Sequence, residues 1–72
     1  ALNRPGDAIK AAERGLALDP THVGCMNRRA VGLAALGLLR AAREQLKDAL
    51  RLAPGDPMTH CNLGWVAAVR VG

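Results

Sequence analysis

The chain has 72 residues, half of them apolar, with ten Lys and Arg against six Asp and Glu for a formal charge of +4. That length holds one domain, and the lone Trp, with neither Tyr nor Phe beside it, argues against nucleic-acid recognition by base stacking and leaves helices to approach one another on Ala, Leu, Val and Gly. Two cysteines are too few for a disulfide framework and fit a reducing, cytoplasmic compartment, while no apolar run reaches the roughly 20 residues of a membrane span and no charged-then-apolar leader is present.

In chain order, a first helix is expected from about Pro5, whose missing N–H has no helical partner to lose, to about Leu18, with Ala8, Ala12, Gly15 and Leu16 on one stripe. Pro20 stops it. Thr21 is placed to cap a second helix that reaches Leu36, and Gly37 supplies the left-handed residue that ends it. A third helix follows over about Leu39–Ala53. Asp56 caps a fourth, with Pro57 in its first turn. Short turns between four helices imply antiparallel neighbours and an all-α fold.

The stretch ALRLAP at 49–54 echoes GLALDP at 15–20. A shift of 34 residues brings Ala8 onto Ala42, Leu16 onto Leu50, Leu18 onto Leu52 and Pro20 onto Pro54. It also exchanges one small residue for another at Gly15 and Ala49 and at Ala30 and Gly64. On this period and these residues the whole chain resembles the tetratricopeptide repeat (TPR) family. Residues 23–56 resemble one complete repeat, with Leu33 on its first helix, Gly37 at the inter-helix turn, Ala42, Leu46 and Ala49 on its second helix and Pro54 as terminator. Residues 1–22 resemble the second helix of a preceding repeat. Residues 57–72 resemble the first helix of a following one, where NLGW at 62–65 carries the family's Leu-Gly pair. The resemblance implies antiparallel helix pairs in a right-handed solenoid fragment, each pair stacking on its neighbours because it cannot bury its apolar face alone.

Departures from the family pattern are informative. Arg29 and Ala30 stand where the Leu-Gly pair is usual, so the Arg29 side chain must snorkel or find a carboxylate. Met26 replaces the family's bulky aromatic, and Ala12 and Leu46 replace another. The runs Met26–Ala30 and Thr59–Trp65 are similar to those of bacterial TPR proteins whose repeats precede membrane segments. On that likeness a membrane is met only through segments outside these residues, and the first residue, Ala rather than Met, suggests a piece of a longer chain.

The family resemblance places function on the concave surface, formed by the first helix of each repeat. Steps of three and four residues put Gly24, Asn27, Arg28, Val31 and Ala35 on one face of the second helix and Met58, Cys61, Asn62, Trp65 and Ala68 on one face of the fourth. The candidate peptide contacts are Asn27, Arg28, Val31, Cys61, Asn62 and Trp65. Asn62 stands where some TPR proteins pair an amide with the backbone of an extended peptide, and Arg28, one repeat earlier, suits a carboxylate. For both residues the alternative is a solvated helix position. Trp65 is either an aromatic anchor or cover for a neighbouring helix. The clamp of Lys, Asn and Arg with which one subset of the family grips C-terminal carboxylates is not matched, since Asn27 and Val31 stand where a Lys and an Asn are needed.

Arg43, Lys47 and Arg51, extended by Lys10 and Arg14, form a basic ridge that is either a solvated face or a surface for an acidic partner or an anionic membrane. Helical spacing pairs Arg40 with Glu44, Asp48 with Arg51 and Asp7 with Lys10. No nucleophile has a base and an orienting partner, and no glycine-rich phosphate loop is present, so no catalysis is expected. His22, Cys25, His60 and Cys61 are competent zinc ligands. However, the adjacent His60 and Cys61 point about 100° apart on a helix, which argues against a metal site. Cys25 and Cys61 fall two residues apart in the repeat frame, so free thiols are expected. The sequence therefore reads as a non-catalytic, cofactor-free protein-interaction scaffold that takes a peptide or helical segment in its groove. The alternatives are a recruiting arm of a larger enzyme or membrane-tethered protein, and a basic surface for acidic partners. Leu63, Trp65, Val66 and Val69 spread around the fourth helix, so the uncapped ends predict self-association or a longer chain that covers them.

Overall fold

The computed structural model describes residues 4–69, which form four helices and no strand: α1 (Pro5–Leu18), α2 (Val23–Ala35), α3 (Leu39–Leu52) and α4 (Pro57–Val69). Pro5 and Pro57 open the first and last of these, where a missing N–H loses no bond. The cap of α2 corrects the expectation from sequence. Asp19 Oδ1 accepts from both the amide (3.1 Å) and the hydroxyl (2.8 Å) of Thr21, so Thr21 is committed to the turn. The cap falls to His22, whose Nδ1 accepts from the Cys25 amide at 3.0 Å. An imidazole lone pair thus takes the place usually filled by a hydroxyl or carboxylate.

α2 ends at Ala35, one residue short of expectation, with Leu36 as its C-cap. Gly37 follows in the left-handed region at φ +84°. The Gly37 amide then reaches Ala34 O (3.0 Å) and the Leu38 amide reaches Leu33 O (2.9 Å), the paired bonds that close a helix end on a glycine. At the start of α4 the Asp56 carboxylate accepts from the Thr59 amide at 3.1 Å, as the spacing predicts for an N-cap.

α2 is the hub. It packs against α1, α3 and α4, while α1 meets no other helix and α3 and α4 also meet each other. Ala30, Leu33 and Ala34 of α2, Ala42 and Leu46 of α3 and Val66 of α4 form the core, with Ile9, Leu39 and Leu63 against it. So many alanines hold the helices close. The α1–α2 crossing depends on Gly32, since a Cβ there would lie 2.7 Å from Ile9 Cγ1 and 3.0 Å from the Pro5 carbonyl oxygen.

Arg29 resolves its awkward position by spanning two helices. Its Nε donates to Glu13 Oε2 of α1 at 3.3 Å and its Nη1 to Gln45 Oε1 of α3 at 2.8 Å. The helices differ in patterning. On α3, Ala42, Leu46 and Ala49 are buried at steps of four and three residues while Arg40, Glu44, Lys47 and Arg51 are exposed. α4 carries no Asp, Glu, Lys or Arg at all, and its Met58, Trp65 and Val69 stay exposed while Val66 is buried. No described helix is long and apolar enough to cross a membrane.

Candidate interaction groove

A groove of about 780 Å³ opens over α2. α2 forms its floor through Gly24, Asn27, Arg28, Val31, Gly32 and Ala35. One wall is the start of α1 (Arg4, Pro5, Ala8), and the other is Ala53, Asp56, Met58 and Asn62 from the α3–α4 turn and α4. Its surface is mostly apolar, with Arg4 and Arg28 exposed at the rim.

Beneath one wall lies a polar network. Asn27, only 5 % exposed, donates through Nδ2 to Thr59 Oγ1 (2.9 Å) and to Val23 O (3.1 Å), and its Oδ1 accepts from Asn62 Nδ2 at 2.9 Å. Thr59, fully buried, donates its hydroxyl to Asp56 Oδ2 at 2.7 Å. The Thr59 hydroxyl, joined by the Thr59 and Met58 amides and by Asn27, holds the Asp56 carboxyl below the usual carboxylate range against the opposing pull of desolvation. Every member of this network therefore has a partner, as buried polar groups require. Asn62 is half-buried at the groove wall, and its Oδ1 has no protein partner among the described residues.

The six residues expected in the groove separate into three groups. Arg28, Val31 and Asn62 line it with accessible surface. Asn27 borders it, but its amide is spent inside the protein and offers little to a ligand. Cys61 and Trp65 do not line it, nor does Ala68, because the polar network rotates α4 so that Thr59, Asn62 and Val66 face α2 and Cys61 and Trp65 turn outward. The α1 wall, Gly32, Ala53 and Asp56 were not anticipated. Ala8 could have been found as the repeat counterpart of Ala42, and Thr59 from its spacing after Asp56.

The basic ridge is largely neutralised along its own helix. Lys47 pairs with Glu44 at 3.2 Å and Arg51 with Asp48. Arg43 turns its Nε into the protein, where it meets no partner among the described residues. Glu44 thus bonds Lys47 and not Arg40, and no Asp7–Lys10 pair forms among the described residues. His22 and His60 are engaged locally, the second with its Nε2 2.6 Å from Pro54 O. Cys25 is a half-buried free thiol against Gly15, and Cys61 is an exposed one.

Compared with models of protein families, with curated proteins and with solved structures, the chain matches none of them.

Proposed function

We propose that the chain is a TPR-type solenoid fragment and serves as a non-catalytic protein-interaction scaffold, taking a peptide or helical segment in the groove between α1, α2 and α4. The observation that carries this reading is the groove itself, apolar, about 780 Å³ and rimmed by Arg28 and by Asn62, whose carbonyl oxygen has no partner among the described residues. A segment lying there is offered apolar contact from Val31, Met58 and Ala35, and an acceptor from Asn62 for a backbone amide. The 34-residue period supports the solenoid reading, because α2 and α4 begin with a cap at equivalent positions, His22 and Asp56, and α1 and α3 end at equivalent ones, Leu18 and Leu52.

A test is selection of binders from a displayed random-peptide library on the immobilised chain, followed by affinity measurement against Val31→Glu. The reading expects binders whose affinity falls at least tenfold in the variant. Binders indifferent to Val31 would overturn it. A basic surface for acidic partners is the second reading. It is favoured only by the exposed rims of Lys47 and Arg51, which already have carboxylate partners.

A further inference from the structure

The repeat relates a filled seat to an empty one. Within the chain, α2 lies against both α3 and α4, and there Met26, Asn27, Ala30, Leu33 and Ala34 are buried. Thirty-four residues later, the same positions of α4 are His60, Cys61, Gly64, Ala67 and Ala68, and all of them are exposed. The receiving side shows the complementary relation. Ala42 and Val66 of the core that holds α2, and Leu39 packed against it, have Ala8, Gly32 and Pro5 as their counterparts, and all three counterparts line the groove.

We propose that α4 of one copy seats in the groove of a second copy, as α2 seats against α3 and α4, so that chains stack head to tail. This rests on the reading of the groove as a seat for a helical segment and names the segment.

Two properties of α4 fit it for the part. It carries no Asp, Glu, Lys or Arg, so burial desolvates no carboxylate, ammonium or guanidinium, and the residues Gly64, Ala67 and Ala68 on the open face allow the close approach that Ala30 and Ala34 achieve in α2. A Cβ added at Gly64 would meet nothing within 4 Å among the described residues, so none of them covers that point of the face. The two surfaces are unlike, so the contact is heterologous. Each dimer keeps one unused α4 and one unused groove, and growth continues with concentration.

Sedimentation velocity on the 72-residue chain tests this, with Ala67→Glu to block the α4 face and Ala8→Glu to block the groove. The wild type should sediment faster with concentration, past the dimer, and each variant alone should remain monomeric. An equimolar mixture of the two should form a dimer and stop there, because only one good face of each kind is present. Circular dichroism establishes that the variants are helical, and Val31→Glu replaces Ala8→Glu should that variant lose helicity. A wild type that is monomeric throughout, a closed dimer untouched by either substitution, or variants that fail to pair on mixing each overturns head-to-tail stacking. A monomeric wild type that still captures library peptides through Val31 would sink the stacking and leave the groove reading intact. Loss of both behaviours removes both.

Discussion

Asn62 on α4 donates its amide to Asn27 on α2 across 2.9 Å, and together with the bond from Asn27 to Thr59 it sets which face of an otherwise featureless helix looks inward. α4 has apolar residues on every side and no charge to mark its solvent face. Its rotation is fixed by Thr59 and Asn62 reaching one buried amide. The groove wall is a consequence of that choice.

Removing the hub of the network should therefore cost more than removing its outer member. Asn27→Ala is expected to destabilise the fold by about 1–3 kcal/mol, because Thr59 and Asn62 lose a partner and a buried amide is deleted. Asn62→Ala, half-exposed, should cost less in stability, yet weaken a groove-bound peptide by several-fold or more. Urea unfolding and peptide affinity, measured on both variants, check the two halves separately.

Acid should weaken the fold through Asp56 and Asp19. Both carboxyls are held below their ordinary range, Asp56 chiefly by the Thr59 hydroxyl and Asp19 chiefly by the Thr21 hydroxyl. A group whose folded pKa is depressed contributes stability above its unfolded value, near 3.9, and that contribution is lost as pH falls through the folded value. The urea midpoint should fall below about pH 4. Asp56→Asn, which keeps a competent cap, should show a shallower fall. An unchanged acid slope in that variant would remove Asp56 from the account.

Two helical glycines should respond to alanine with opposite sign. Gly64→Ala adds a methyl to open space and gains helix propensity, so stability should rise by about 0.5–1 kcal/mol. Gly32→Ala gains the same propensity but forces Ile9 and the Pro5 carbonyl away, so it should destabilise and loosen α1. Thermal unfolding of the pair, with hydrogen exchange across α1, distinguishes them.

Arg29 should prove replaceable. Its ion pair with Glu13 is partly exposed, a class worth at most about 1 kcal/mol. Arg29→Leu, which keeps apolar bulk between α1 and α3, is expected to lie within about 1 kcal/mol of the wild type, and Arg29→Ala to cost more through lost stem packing. Chemical denaturation of the two variants decides whether charge or bulk matters at this position.

The helix boundaries were legible because prolines, glycines and a stripe at steps of three and four residues mark them directly. Ala42, Leu46 and Ala49 show this on α3, as does Gly37 at its turn. The groove was legible only in part. Arg28, Val31 and Asn62 could be placed from spacing, whereas Cys61 and Trp65 could not, because α4 lacks the polar phase that tells one face from another. The α1 wall depends on how closely α1 crosses α2 at Gly32, a tertiary distance with no local signature. Thr21 and His22 compete for one cap, and the outcome turns on Asp19 having already taken the threonine.

The central claim is that partners enter the groove of α1, α2 and α4, and amide shift mapping by NMR tests it most directly. A library-selected peptide is titrated into the labelled chain at low and high salt. The account predicts shifts at Gly24, Arg28, Val31, Met58 and Asn62, little changed by salt. Shifts confined to Arg43, Lys47 and Arg51, fading steeply as salt rises, would contradict it and assign binding to the basic ridge.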